Sequence, residues 1–470
     1  MRISKLTKTV FLLGAIMPLC TGCKNDSESG VEEPTGEVLL LGDGSSAFEI
    51  KSNLTLTYPN TYILTGFVYV TEGATLTVEP GVVVRGDRES KGTLIVERGA
   101  KINAEGSIDR PIVFTSNQEP GRRSPGDWGG LILLGKAPNN AGEQTIEGGV
   151  RSKHGGNSPH DNSGILKYVR VEFAGIEYST DNEINGITFG SIGDATVIDY
   201  VQVSYSGDDS FEWFGGTVNA KHLIAYHGWD DDFDTDNGFG GKIQFALGVR
   251  NPQIGDKSAS NGFESDNNSA GSDASPLTCA VFANVSLFGP VADAGGYIDR
   301  AGEKGSSVNA RFQAGLHLRR NTSLSIFNSL SAAYPVGIIV EGTASQTLSS
   351  SGELSVENTV FAGNVRNFQD RQYWSDNTVF DPEPADLTKS CIMRTGSGNR
   401  TFASLADIQL SNNRYPASGS PLATGAVWTN TKVASWFEKV GYCGAFAPTE
   451  NSNSNWTAGW ANFDPQNTVY

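Results

Sequence analysis

Only three methionines and five cysteines occur in 470 residues. Two of the cysteines, Cys20 and Cys23, stand near the start, leaving Cys279, Cys391 and Cys443 for the body of the chain. Three are too few for a disulfide scaffold or a Cys-type zinc site. Basic residues also run short, with 35 Lys and Arg against 52 Asp and Glu, a net charge of −17. So acidic a chain excludes nucleic acid as a partner, because phosphate backbones repel it. Cations and neutral or basic ligands remain open. Apolar residues spaced i, i+3, i+4 and i+7 are scarce, which excludes a helical bundle. The apolar run Val10 to Leu19 is too short to span a bilayer, and no spanning run follows it, which excludes a helical transporter. In their place stand 56 glycines and short Val/Ile/Phe/Tyr runs broken by Gly, Asn and Asp. That is an all-β pattern.

The start of the chain reads as a leader. Arg2, Lys5 and Lys8 precede the apolar run, and Leu19-Cys20-Thr21-Gly22-Cys23 follows it. Gly22-Cys23 resembles a lipobox, which makes 1–22 a lipoprotein signal peptide and Cys23 the lipidated residue. Lys24-Asn25-Asp26-Ser27-Glu28 resembles the surface-export signal of Bacteroidetes-type lipoproteins. The expected location is the outer membrane, lipid-anchored and facing the cell exterior. Residues 23–50 read as a flexible tether. Cys279, in the apolar run Leu277 to Phe282, is expected to be a buried thiol. Cys391 and Cys443 can pair in that oxidising location.

From residue 51 the chain repeats. Leu166 to Gly175 matches Ile198 to Gly207, and Leu223 to Gly228 repeats the end of that unit. Phe211-Glu212-Trp213, Phe233-Asp234-Thr235-Asp236-Asn237 and Phe263-Glu264-Ser265-Asp266-Asn267 form a second family of repeats. Offsets of this size predict a solenoid with one coil per repeat. The runs GATLTVEPGVVVRG and GTLIVERGAKINAEG resemble the opening coils of right-handed parallel β-helix proteins. We therefore expect a right-handed parallel β-helix over 51–375. Asn284, Asn328 and Asn358 recur at turns and read as a stacked ladder. Residues 376–470 lose the repeat, hold Trp428, Trp436, Trp456 and Trp460, and read as a C-terminal cap.

Stacked coils would align Glu212, Asp234 and Glu264 in one column, and Asp236 and Asp266 in another. Asp208, Asp209, Asp230, Asp231 and Asp232 lie close by. Two carboxylates about 5 Å apart repel by roughly 3 kcal/mol at an effective dielectric near 20. A cation would relieve this, and hard oxygen donors favour Ca²⁺. Solvated turn aspartates are the bland alternative. Trp213, Phe214, Trp229 and Phe239 stand beside the acids as candidate sugar-stacking residues. Ser206-Gly207-Asp208-Asp209-Ser210 resembles the Gly-Asp-Asp-Cys segment of polygalacturonases, with Ser in place of Cys. Their His-Gly has a counterpart in His227-Gly228, and Ser179-Thr180-Asp181 lies upstream. That resemblance implies acid and base roles for Asp181, Asp208 and Asp209, supported by His227.

Over most of its length the sequence resembles a family of bacterial secreted and lipid-anchored β-helix proteins, through DWGGLILLG, DDSFEWFGGTVNAKHL and the terminal WTAGWANF. The resulting expectation is a surface-exposed, non-catalytic protein for extracellular glycan or nutrient capture, anchored by lipid and able to serve an outer-membrane receptor. A polysaccharide-cleaving enzyme and a structural surface protein without ligand are the alternatives.

Overall fold

The computed structural model describes residues 36–180, 182–291, 311–372, 374–375, 378–379, 386–411, 414–449 and 455–470. Parallel strands stack into the right-handed β-helix expected from the repeats. Among the described residues one sheet has 11 strands, from Phe48–Ile50 to Arg366–Gln369. The other has 17 strands and bends around a corner. Strand Gly164–Glu172 shows how: its first half pairs with Lys101–Glu105 and its second with Ile112–Ser116. Tyr168, between the halves, takes φ 51°. Tyr200, His222, Phe245, Asn284, Asn328 and Asn358 mark the same corner in later coils, with φ between 52° and 62°. This left-handed conformation costs most L-residues about 1–2 kcal/mol. Asn tolerates it. The rings offset it by stacking, with centroids 4.5 Å apart for Tyr168–Tyr200, 4.1 Å for Tyr200–His222 and 5.1 Å for His222–Phe245.

The interior is filled by aligned apolar columns. Phe211, Phe233 and Phe263 lie in register, fully buried, with successive centroids 5.6 and 5.1 Å apart. The stack begins earlier than expected. Val38–Gly42 pairs with Thr61–Thr65, and Phe48–Ile50 with Phe67–Val70, so any tether ends before residue 38. It also runs later, since Arg400–Phe402 pairs with Val360–Ala362.

The C-terminal segment is not a cap over the last coil but a strap laid lengthwise along the solenoid. Polar side chains of successive coils hold its backbone. Asn328 Nδ2 donates to Val427 O (3.2 Å), Asn284 Nδ2 to Tyr442 O (3.0 Å) and Gln244 Nε2 to Glu438 O (2.7 Å). Gln202 Nε2 donates to Asn462 O (2.6 Å), and Arg85 reaches Tyr470 O (2.6 Å). Asn284 and Asn328 therefore bond the strap, where a ladder of mutually bonded asparagines was expected. Trp460 is 1% exposed and packs edge-on against Tyr168 and Tyr200. The indole N–H groups of Trp428, Trp456 and Trp460 all donate to strap carbonyls, so these rings pack the strap.

The expected Cys391–Cys443 disulfide is absent; both thiols are free and buried. Cys391 lies on helix Asp386–Ile392 beside Ser350 Oγ, whereas Cys443 lies in the strap beside Asn358 O. Different parts of the fold hold them. Cys279 is exposed rather than buried, because its neighbours Thr278 and Ala280 take the inward positions.

Candidate functional site

Strand alternation decides which residues reach the surface of the 11-stranded sheet. With Phe211, Phe233 and Phe263 turned in, the next residue of each strand turns out. Register places Glu212 beside Asp234 and Asp234 beside Glu264. Asp236 is followed on the next coil by Asp266, whose N–H donates to Thr235 O. A third column forms where the chain enters these strands. Gly186 N donates to Asp209 O, Ser210 N to Asp231 O and Asp232 N to Asn261 O, which stacks Asn185, Asp209, Asp231 and Asn261.

The columns bring carboxylates together in three triads. Asp208, Asp209 and Asp230 form one, Asp209, Glu212 and Asp234 the next, and Asp231, Asp234 and Glu264 the third. Within each triad one oxygen per residue lies within 4.8 Å of the others. Asp209 and Glu212 are each 7% exposed and Asp231 3%. Asp230 Oδ1 and Asp234 Oδ1 are buried and have no hydrogen-bond partner. Burial first, then neighbouring acids, pushes the carboxyls of Asp208, Asp209, Glu212, Asp231 and Asp234 well above the carboxylate range. Burial and Asp256 raise Asp230 to about 7, and burial raises Asp236 to about 7.

At one end of the array the protein supplies cations of its own. On the next coil Arg319 bonds both Glu264 and Asp266, and Arg320 Nη1 reaches Asp266 Oδ2 at 2.7 Å. His317 Nδ1 lies 3.6 Å from Glu264. Burial opposes ionisation of Glu264, but Arg319, then His317, holds its carboxyl at about 2. No such side chain bonds the carboxylates of Asp209 or Asp234 among the described residues. Asp209 Oδ1 accepts from Asp231 N at 2.8 Å.

The other end is bounded by a covering segment. Ile146, Val150, Ile176 and Ile184 pack on Tyr69, Ile95 and Ile132, closing the outer face of the earlier coils. Glu147 and Glu183 lie near enough to add, after burial and Asp230, to the rise of the Asp208 carboxyl. Beside them opens a groove of about 520 Å³ whose lining includes Arg88, Glu183, Trp229, Asp256 and Lys257. Trp229 is 39% exposed, its indole fixed by donation to Gly255 O at 3.1 Å. A larger cavity, about 750 Å³, lies over earlier coils. Its charges pair among themselves, Lys136 with Glu72 and Arg98 with Glu143, so it offers less unmet chemistry.

The family model of the pectate-lyase like beta helix domain matches residues 48–461. The chain belongs to that family. No curated protein and no solved structure matched the chain.

Several expected positions in this pectate-lyase-like β-helix lie elsewhere. Trp213 and Phe239 are fully buried and stacked 5.3 Å apart, so they present no face to a ligand. Phe214 is half-buried against the covering segment. Trp229 alone of the four lines the groove. His227 stacks on Tyr226 at 3.7 Å and faces Tyr205 Oη, on a corner of the coil. Burial, then Arg414 and Arg250, drives its pKa down to about 3. Asp232 points into the solenoid, 0% exposed and bonded to Arg250. Asp181 and Cys23 lie outside the described residues. Asn185 was not anticipated. It is 1% exposed, its Nδ2 donates to Glu212, and its Oδ1 has no partner. Aligning Asn185-Gly186-Ile187-Thr188-Phe189 with Asp209-Ser210-Phe211-Glu212-Trp213 would have found it.

Proposed function

We propose that this protein is a non-catalytic, Ca²⁺-dependent polysaccharide-binding protein, with divalent cations held in the carboxylate array and sugar lying in the adjoining Trp229 groove. The observation that carries this reading is the set of three triads with buried, unpartnered Asp230 and Asp234 oxygens. Calcium takes six to eight oxygens at 2.3–2.6 Å. The triads offer up to six carboxylate oxygens each, and Asn185 Oδ1 is an amide oxygen beside them. Family membership supports polysaccharide as the ligand class, and an exposed indole at a groove suits the apolar face of a sugar.

Two observations weigh against inverting hydrolysis of the polygalacturonase kind. Oxygens of Asp208 and Asp209 lie within 4.8 Å, whereas inverting glycosidases hold their carboxyls about 6.5–9.5 Å apart. His227 belongs to another side of the coil. A lyase needs a base with a free lone pair, and the arginines facing the array, Arg319 and Arg320, are tied to Glu264 and Asp266.

Binding to a polysaccharide panel, with CaCl₂ or EGTA, tests the reading. Retention on at least one polysaccharide in calcium only, with no new reducing ends or unsaturated products, is the expected result. Catalytic turnover abolished in Asp208→Asn and Asp209→Asn would overturn it. Trp229→Ala should weaken retention at least tenfold, measured on protein shown by circular dichroism to be folded.

For location we propose anchorage through a lipidated Cys23 at the outer membrane, facing outward, where an outer-membrane receptor could take up captured ligand. Cys23→Ala should move the protein from membrane to soluble fractions. Retention in the membrane would exclude the anchor, and resistance to protease on intact cells would exclude the outward orientation.

A further inference from the structure

One charged pair lies inside the solenoid, where a core of Phe and Leu would be expected. Arg250 and Asp232 are both 0% exposed. Arg250 Nη1 donates to Asp232 Oδ1 at 2.9 Å and Nη2 to Trp229 O at 3.1 Å. A single guanidinium thus bonds both ends of Trp229-Asp230-Asp231-Asp232, the arc between strands Ala220–Tyr226 and Phe233–Asp236. The outer side of that arc presents Asp230 and Asp231 to the triads and Trp229 to the groove.

Room for the pair is built in. A Cβ on Gly248 would lie 2.5 Å from Asp232 Oδ2, so only glycine leaves space there. Arg250 is itself pinned by its backbone N–H to Phe288 O at 2.9 Å, with its guanidinium 5.2 Å from the Phe312 ring. Ser260 Oγ donates to the same Trp229 carbonyl at 2.8 Å. Buried ion pairs are seldom a gain in stability over apolar residues of similar volume. A pair kept at this position therefore points to what lies in front of it.

We infer that Arg250, with Asp232, is a positioning residue for the cation array: by bonding both ends of the arc from within, it holds Asp230 and Asp231 in place as ligands. The inference rests on the calcium reading above.

Calcium titration by calorimetry tests it, on wild type, Arg250→Lys and the double variant Asp232→Leu/Arg250→Met. The double variant removes both charges without stranding either, so its fold should persist, checked by circular dichroism. It should bind calcium at least tenfold more weakly while melting in EGTA no lower than wild type, because the arc is no longer held at both ends. Arg250→Lys keeps the charge but cannot fork to two acceptors. It should lose at least threefold in affinity. Wild-type affinity in the folded double variant would overturn the inference while leaving the calcium reading intact. Should the double variant not fold, unchanged affinity in Arg250→Lys overturns it instead. A wild type that binds no calcium would remove the calcium reading, and this inference with it.

Discussion

In EGTA the protein should become less stable as pH rises from about 4 to about 7, and millimolar CaCl₂ should abolish most of that loss. The sign follows from the raised carboxyl pKa values. A group whose folded pKa lies above its unfolded value binds its proton more tightly in the native state. Its contribution is complete below the unfolded pKa, near 3.8, and is lost as pH climbs through the folded one. Asp230 and Asp236, raised to about 7, and Asp232, raised to about 6, set the window. Most acidic proteins with salt-bridged carboxylates show the opposite slope. Glu264, held at about 2 against Arg319, works that way here, but it is outnumbered. A cation bound only by the native state adds about 2.7 kcal/mol at a hundredfold excess over its Kd. Asp234→Asn, which removes a ligand shared by two triads, should cut the calcium-induced rise in melting temperature by more than half. Melting curves at pH 5 and 7.5, each with EGTA and with CaCl₂, check this. Equal melting temperatures across all four conditions would mean that the acids are ordinary solvated turns.

The fold was legible because stacking makes a simple demand on sequence. Phe211, Phe233 and Phe263 must recur where coils align, and their outward neighbours Glu212, Asp234 and Glu264 recur with them. The same alternation argues against Trp213. If Phe211 points in and Glu212 out, Trp213 points in, and grouping it with surface aromatics ignored that parity. Asp232 is a different case. It precedes its strand, where alternation has not begun, and its partner Arg250 belongs to the following coil. Nothing local separates it from Asp230 and Asp231. The polygalacturonase resemblance puts His227 beside the acids. The corner that turns it toward Tyr205 and Tyr226 is set by a left-handed residue, φ 59° at His227 itself, which periodicity does not encode.

Removing the strap should be more damaging than losing any single coil-to-coil contact. Its sequence carries no repeat, and its contacts are distant in the chain: Gln202 to Asn462, Gln244 to Glu438 and Arg85 to Tyr470. Beneath it lies an apolar cluster that includes Ile224, Leu247, Val249, Phe288 and Leu330. Without the strap these residues and the polar side chains that bond its backbone face water together, along the length of the solenoid. An exposed apolar face of that kind promotes association. A chain ending at residue 423 should therefore be recovered mainly as aggregate. Trp460→Ala gives a graded version of the same test. A buried Trp cut to Ala costs about 3–5 kcal/mol, and here the rings of Tyr168 and Tyr200 also lose their edge-on partner. The expected result is an unfolding free energy lowered by that amount, with a correspondingly lower denaturation midpoint and calcium binding unchanged once the protein is folded. A truncated chain that stays monomeric with the wild-type midpoint would show that the coils stand without the strap.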